Sequence, residues 1–277
     1  MTEELAGRNA VVTGASRGIG AAIARRLAAA GAAVALVGRT AEPDADANPG
    51  SLQETAARIE ADGGRAHIVV ADLSDPEVDR AAIIDEARGA LGAVDVLVNN
   101  AAACFYLPWE QVSPRRYAVM FEVNVHAPWD LSRAVLPDML QRGRGAIVNI
   151  SSGVSAHPEG PPFTPFHADN GATLYGTSKA ALERLTTGLA AEVFAGGVAV
   201  NAVAPVRAVA TPGVIAMGLM PDEPGHVEPI EQMAEAALAL CVVEPARMTG
   251  RCTTSAEVLD ELGREVRTLD GHAVLRR

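Results

Sequence analysis

The stretch that decides the fold is NAVVTGASRGIG, residues 9–20. Its short apolar start predicts a buried strand, and the Ala-rich run behind it predicts a helix that ends near Gly31. Between the two, Gly14, Gly18 and Gly20 allow a tight turn that leaves the first N–H groups of the helix open to a phosphate. The stretch therefore predicts a strand, a phosphate-binding turn and a helix in immediate succession.

Strand-like and helix-like segments continue to alternate along the chain. The strands are apolar runs rich in β-branched residues, as in sheets that are covered by helices on both faces. Such alternation produces right-handed crossovers and a parallel sheet. We therefore predict one α/β domain over residues 1–277, a doubly wound, Rossmann-type parallel sheet of about seven strands with helices on both faces. The six later strand segments are 33–38, 65–73, 94–102, 145–152, 197–205 and 251–255.

Capping signals and prolines mark the helices. Segments 51–54 and 74–77 each begin with Ser and end with Glu, and this capping-box spacing predicts a helix beginning at each place. Residues 113–143 predict one long helix with a bend at Pro128 or Pro137, because proline removes a helical hydrogen bond.

Three segments lie outside this pattern. Residues 40–50 are acidic and turn-rich and residues 153–172 are rich in proline, so both are predicted insertions in a core that spans about residues 7–255. Residues 256–277 run past the last strand and are predicted to form either an arm across a subunit interface or a frayed end. No shift in composition marks a second domain.

Charge and composition argue against several kinds of partner. The net charge is −11, whereas nucleic-acid binding needs a basic surface, so we expect no nucleic-acid partner. No apolar run approaches the about 20 residues of a membrane span, and no signal peptide is visible, so we expect a cytoplasmic location without membrane contact. Three cysteines without CxxC spacing indicate reduced thiols, and no histidine pair has ligand spacing, so we expect no metal site.

Charged and polar residues at the predicted strand ends indicate a dinucleotide site. Arg39 ends the second strand, where an Asp or Glu would hold a ribose 2′-hydroxyl. Arg39 and Arg17 together suit a 2′-phosphate, which favours NADP(H) over NAD(H), unless Arg39 is a solvated loop residue. Asp72 is placed to accept from an adenine amino group, or else is a turn residue. Asn99 and Asn100 end the fourth strand, where ligand crevices open.

The single lysine of the chain, Lys179, follows Tyr175 by four residues, which places both side chains on one helical face. Because a nearby ammonium favours phenolate, Lys179 is predicted to lower the pKa of Tyr175 toward the range of an acid–base catalyst. Ser152 ends the fifth strand, where its hydroxyl can polarise a substrate carbonyl. Asn124 lies within a predicted helix, an unusual place for an amide unless it bonds a backbone group or a water.

Together, TGASRGIG, NNAA, Asn124, Ser152 and the Tyr175-x-x-x-Lys179 motif resemble the short-chain dehydrogenase/reductase family over about residues 7–255. The resemblance implies an NAD(P)-dependent oxidoreductase that moves a hydride between nicotinamide and a small carbonyl or secondary alcohol substrate. It implies that Tyr175 exchanges the proton and that Lys179 lowers the pKa of that Tyr and holds the nicotinamide ribose. Ser152 would orient the carbonyl, and Asn124 would hold a water of a proton relay. The implied cofactor-binding residues are Gly14, Ser16, Arg17, Gly18, Ile19, Gly20, Arg39, Thr40, Asp72, Leu73, Asn99, Ala101, Tyr175, Lys179, Pro205, Val206 and Thr211.

Some positions depart from the family pattern. Ala102 replaces a Gly at the end of the NNAA motif, and Pro205 is followed by Val206 instead of Gly. Thr211 comes one residue later than usual, so its role depends on how this loop folds.

The segment between the predicted catalytic Ser and Tyr is longer than the family pattern. Within it, Phe163 and Phe166 are predicted to roof the substrate pocket. The alternative is a proline-stiffened loop that points outward.

Other functions stay open at this point. A sensor or scaffold protein that binds NADP(H) without turnover is free to lose the Tyr or the Lys, and this chain keeps both. A reductase of 3-oxoacyl thioesters on an acidic carrier protein would need a basic docking patch, for which residues 136–145 offer a weak candidate. The resemblance also implies a homodimer or homotetramer.

Overall fold

The central sheet has seven parallel strands in the order β3-β2-β1-β4-β5-β6-β9. The structure is a computed structural model that describes residues 3–43, 49–221 and 224–275. The predicted doubly wound parallel sheet is therefore confirmed. A separate pair of short strands, β7 and β8, lies outside it. The strands are β1 Asn9–Thr13, β2 Ala33–Gly38, β3 Arg65–Val70, β4 Val96–Asn99, β5 Gly145–Ile150, β6 Val198–Ala204, β7 Ala208–Val209, β8 Val227–Glu228 and β9 Cys252–Thr254.

Helices cover both faces of the sheet and bury alternate strand residues. Val12 of β1 packs in a cluster with α1, α2, α9 and α10, whereas its neighbour Val11 packs in a second cluster with α3, α5 and α7. This two-sided burial is why the strands are apolar without alternation. The helices are α1 Gly18–Ala29, α2 Leu52–Ala61, α3 Arg80–Leu91, α4 Pro114–Phe121, α5 Ala127–Arg142, α6 Pro165–Asp169, α7 Thr173–Val193, α8 Pro212–Ala216, α9 Ile230–Val242 and α10 Ser255–Leu262.

The two predicted capping boxes have different outcomes. Ser51 precedes α2 and accepts a 3.1 Å hydrogen bond from the Glu54 N–H, as predicted. The prediction that the next helix begins at segment 74–77 is wrong, because α3 begins at Arg80. Its N-cap is Asp79, whose carboxylate accepts from two N–H groups of the first turn at 2.9 and 3.1 Å. The Asp side chain thus caps the helix in place of the predicted Ser.

The predicted long helix is divided by a π-helical turn at Glu122–His126. The irregular turn ends just before Pro128, whose ring would clash with the carbonyl of Asn124 in an unbroken α-helix. The turn absorbs this clash, and α5 then continues through Pro137. The candidate amide Asn124 therefore lies in a π-turn, a feature frequent at functional sites.

The C-terminal extension packs on its own chain over residues 255–275. Arg264 bonds Glu4 at 2.6 Å and the buried Glu235 of α9 at 2.8 Å, and Glu235 also accepts a 2.7 Å bond from Arg26 of α1. This ion cluster joins both ends of the chain to one face of the sheet. The frayed-end alternative is wrong for the described residues, whereas residues 276–277 lie outside them.

Along the described ranges, no helix combines the length and apolar character needed to cross a bilayer.

The turn after β1 brings backbone groups closer together than a side chain would allow. Gly14 has a φ of +65° and Gly18 a φ of +56°, in the left-handed region that favours glycine. A Cβ on Gly20 would lie 2.2 Å from the Gly14 carbonyl oxygen and 2.4 Å from Asn100 Nδ2. The three glycines are thus required by conformation and by close approach.

We predict that Gly20→Ala lowers the free energy of unfolding by about 1–3 kcal/mol, the usual effect of overpacking. Gly89 of α3 is a matched helical control, since an added Cβ there meets nothing within 4 Å. Gly89→Ala should raise stability by about 0.4–1 kcal/mol. Urea unfolding of both variants checks this, and equal effects of the two substitutions would contradict the close approach at Gly20.

Candidate active site

The candidate catalytic residues meet where β5 ends against the first half of α7. Tyr175 and Lys179 lie one turn apart on α7, and Ser152 lies two residues beyond the end of β5. The Ser152 side chain lies close enough to the Tyr175 phenol to lower the pKa of that group. The structure therefore brings the predicted Ser, Tyr and Lys together at the carboxyl edge of the sheet.

Lys179 is a buried ammonium that bonds the backbone of β5. Its side chain is 2% exposed, and Nζ donates a 2.7 Å hydrogen bond to the Ile150 carbonyl oxygen. Burial lowers the pKa of Lys179 to about 8, against the opposing influences of Cys104 and Glu183. At pH 7 the group therefore still carries its proton for most of the time.

The electrostatics of Tyr175 differ from the expectation. Burial raises the pKa of the phenol above its ordinary value, with further contributions from Cys104 and Tyr106, and only Ser152 lowers it. Lys179 Nζ lies 5.8 Å from the centroid of the Tyr175 ring and bonds a backbone carbonyl. The pKa shift in the protein alone is therefore opposite in direction to the predicted one, because burial disfavours the charged phenolate. Tyr175 is a neutral phenol, suited to donate a proton.

Asn124 connects the chain after β4 to α7. Its amide accepts from Ala103 N–H and donates to Ala103 C=O and to Ser178 Oγ, each at 2.9 Å. Ser178 in turn donates to the Tyr175 carbonyl at 2.8 Å. Of the two sequence alternatives, the bond to a backbone group is the one observed. Because both amide N–H donors are used, the relay role of Asn124 stays a prediction.

The phosphate turn is held by Asn100 and by Thr13, of which sequence reasoning did not assign Thr13 to the site. Thr13 Oγ1 accepts from the N–H groups of Asn100 and Ala101, both at 3.0 Å. Asn100 Nδ2 donates to the carbonyls of Thr13 at 2.9 Å and Gly14 at 3.3 Å. The side chain of the predicted Asn99 is instead buried and bonds Asn149 of β5 at 2.8 Å. The two consecutive asparagines were the signal that the sequence offered. Which of them reaches the turn depends on the strand, because successive side chains of a strand point to opposite faces of the sheet.

The predicted 2′-phosphate residues gather at the ends of β1, β2 and β3. Arg17 donates to Thr40 Oγ1 at 3.1 Å and to Ser16 Oγ at 3.4 Å. Arg39 is 69% exposed and lies 3.7 Å from the Asp72 carboxylate. Asp72 also accepts from Ser74, as in the turn-residue alternative. Ile19 and Leu73 pack into the apolar clusters beside this edge.

The loop after β6 is held by a buried carboxylate. Glu228 accepts from Val206 N–H at 2.7 Å and Arg207 N–H at 3.2 Å, and Ser255 donates to the same carboxylate. No non-Gly residue of the described ranges has a positive φ, so Val206 follows Pro205 without the backbone strain that would require Gly.

Thr211 lies against the phosphate turn despite its shifted sequence position. A Cβ on Gly18 would be 3.2 Å from Thr211 Cβ. Thr211 Oγ1 also accepts from Val214 N–H at 3.2 Å. The structure thus places Thr211 beside the implied cofactor site.

The two phenylalanines that were predicted to roof the substrate pocket lie in the long segment after β5. Phe163 packs against Gly160 of its own loop and is 57% exposed. The side chain of Phe166 lies outside the described features, so the pocket roof stays a prediction. Tyr106, from the chain after β4, has its ring centroid 5.8 Å from that of Tyr175 and lines the site.

Within the described ranges, no three His, Cys, Asp or Glu side chains come close enough to hold a metal ion.

Comparisons with known proteins found similar sequences and similar solved structures. A family model for short chain dehydrogenase matches residues 8–216. Hydroxysteroid dehydrogenase-like protein 2 of Danio rerio is 32% identical over 99% of this chain, which spans 62% of that protein's length. Gluconate 5-dehydrogenase of Gluconobacter oxydans is 36% identical, covering 73% of this chain and 71% of that protein. The crystal structure of a 3-oxoacyl (acyl-carrier-protein) reductase from Agrobacterium tumefaciens with NADP bound has a TM-score of 0.75 at 32% identity, covering 91% of this chain and 94% of that one.

Because Lys179 is the only lysine, ¹³C-labelling of lysine should yield a single side-chain system in an NMR spectrum. We predict that this signal titrates near pH 8, since burial disfavours the charged amine. In urea-unfolded protein the same signal should titrate near the ordinary value of about 10.4. A folded-state midpoint at or above that value would contradict the burial of Lys179.

Proposed function

Since the chain belongs to the short-chain dehydrogenase/reductase family, we propose that it is an NADP(H)-dependent oxidoreductase acting on a carbonyl or secondary alcohol. The observation that carries the proposal is the meeting of Ser152, Tyr175 and Lys179 at the sheet edge, beside a turn shaped by three glycines. The substrate is a small molecule whose oxygen reaches the Tyr175 hydroxyl.

The residues of the turn fit a dinucleotide. At Gly14, Gly18 and Gly20 other atoms of the protein lie where a Cβ would be, so only glycine permits this tight turn, and α1 begins there with open N–H groups. Arg17 and Arg39 would hold a 2′-phosphate, which supports NADP(H) over NAD(H). When bound, the cofactor supplies or accepts the hydride.

The protein's own residues handle the proton. Tyr175 is protonated at neutral pH, so in carbonyl reduction it donates its proton to the substrate oxygen. Ser152, which lies beside the same phenol, orients that oxygen. In alcohol oxidation Tyr175 must lose its proton, and the Lys179 ammonium then stabilises the phenolate.

The alternatives have less support. A non-catalytic sensor needs none of the contacts among Ser152, Tyr175 and Lys179. For the thioester reductase, the solved relative with that printed name is a point in favour. However, Arg142 and Arg144 of the weak basic patch both pair with Asp95, at 2.6 and 3.4 Å, which reduces the charge available to a carrier protein.

We also propose a homo-oligomer that uses the outer face of α5. Trp129 and Leu140 on this helix are 42% and 41% exposed, and Phe194 at the end of α7 is 50% exposed. Apolar side chains of this size on neighbouring helices suit burial against a second copy.

We predict that the protein oxidises NADPH with members of a ketone panel and that Tyr175→Phe lowers kcat about 10²–10⁴-fold, the usual contribution of a positioned acid. The matched control is Tyr117→Phe, since Tyr117 is half-exposed and stacks on Phe121. Steady-state absorbance assays measure both. Undiminished turnover by Tyr175→Phe, or cofactor binding without turnover of any ketone, would reject the proposal.

We predict that Arg39→Ala weakens NADP⁺ binding about 10- to 100-fold and leaves NAD⁺ binding nearly unchanged, because a hydrogen bond to a charged group is worth about 1.5–3 kcal/mol. Arg251→Ala is the control, since Arg251 is also exposed and paired with a carboxylate. Calorimetric titration with each nucleotide tests this. A parallel loss for both nucleotides would argue against recognition of a 2′-phosphate.

A further inference from the structure

Three successive residues at the end of β5 each contact one of three residues spaced four apart on α7. Two of these contacts belong to the site described above. The third connects Ser151 to Glu183, a residue that no step of the proposed chemistry uses. The three pairs are Ile150 with Lys179, Ser151 with Glu183 and Ser152 with Tyr175.

Glu183 holds the turn that carries Ser152. Its Oε1 accepts from Ser151 Oγ at 2.5 Å and from Ser155 Oγ at 2.6 Å. Ser155 N–H donates to the Ser152 carbonyl at 3.0 Å. The single hydroxyl proton of Ser155 serves either Glu183 or that same carbonyl, which lies 2.7 Å away. The carboxylate therefore attaches Ser151 to α7, and it attaches Ser155 as well when the Ser155 hydroxyl points toward it.

Glu183 is also an acidic residue of the same helix as Lys179. The two residues are one helical turn apart, and Glu183 raises the pKa of the amine against the effect of burial. Cys104 and Tyr175 face the amine as well. Burial raises the pKa of the Cys104 thiol to about 12 and also raises that of the phenol, so both are neutral at working pH. The Cys252 thiol also lies next to Glu183, where its Sγ contacts the Glu183 backbone carbonyl oxygen at 3.7 Å.

We propose that Glu183 is a positioning residue of the candidate active site, which fixes Ser152 through Ser151 and Ser155 and places its carboxylate one helical turn from the Lys179 ammonium. The inference rests on the proposed function for its kinetic consequence. Its electrostatic part depends only on the contacts of α7 with β5.

Two substitutions separate the two roles. Glu183→Gln keeps the length and one acceptor oxygen but removes the charge, whereas Glu183→Asp keeps the charge on a shorter side chain. The control is Glu192→Gln, which removes the same charge from an exposed position of α7.

The first measurement follows the single lysine by ¹³C NMR as the pH is raised. In Glu183→Gln we expect Lys179 to lose its proton at lower pH than in the wild type, because the carboxylate that stabilises the ammonium is gone. In Glu183→Asp and Glu192→Gln the midpoint should stay near that of the wild type. If Glu183→Gln titrates like the wild type, the proposal is overturned. Should that variant not fold, a lowered midpoint in Glu183→Asp would overturn it instead.

The second measurement is the pH profile of kcat for NADPH-dependent reduction of a ketone that the wild type accepts. At pH 8 we expect Glu183→Gln to lose about tenfold in kcat, since Glu183 acts through Ser152 and Lys179. At pH 6, where the amine stays protonated, the loss should be smaller. An equal loss at every pH would reject the charge role.

Failure of the proposed function can be told apart from failure of this inference. If no ketone is reduced by any variant while the lysine midpoint still falls in Glu183→Gln, the link between Glu183 and Lys179 stands and the assigned reaction is wrong.

Discussion

The candidate site depends on one buried charge. Moving an ammonium from water into a protein interior is unfavourable unless hydrogen bonds and an opposite charge compensate for the lost solvent. For Lys179 these are the last carbonyl of β5, at 2.7 Å, and the Glu183 carboxylate one helical turn away. A guanidinium has a planar fork of five donors and a pKa too high to fall into this range. That difference is a physical reason for a chain with 22 arginines to place its one lysine here.

The sheet determines where this charge can lie. All seven strands are parallel, so their carboxyl ends share one edge, and the order of strands reverses between β1 and β4. The phosphate turn follows β1, Asn100 follows β4 and holds that turn, and Ser152 follows β5. Apolar clusters on both faces keep these ends in register. Cofactor turn and proton donor are therefore neighbours because of topology, although they are far apart in sequence.

Desolvation and charge oppose each other at the phenol. A spacing of four residues suggests that the ammonium acts directly on Tyr175, but in the fold its Nζ binds a backbone carbonyl. Burial then dominates and raises the pKa of the phenol, with Tyr106 and Cys104 as neighbours. In the protein alone, the Tyr175 phenol is therefore neutral and able to donate a proton. To accept a proton it must first be a phenolate, which needs a nearby positive charge to stabilise it.

The sequence alone predicted the sheet and its approximate strands, because these follow from local periodicity and from residue types such as the glycines of residues 14–20. It also predicted the cap at Ser51, since that bond is local. The start of α3 at Arg80 and the π-turn at Asn124 depended on which of several local signals fits the packed chain. Only the tertiary structure decided that Asn100 reaches the phosphate turn and that Glu183 holds the serines. Those contacts join residues distant in sequence, and burial, which sets the charges at the site, exists only once the chain is folded.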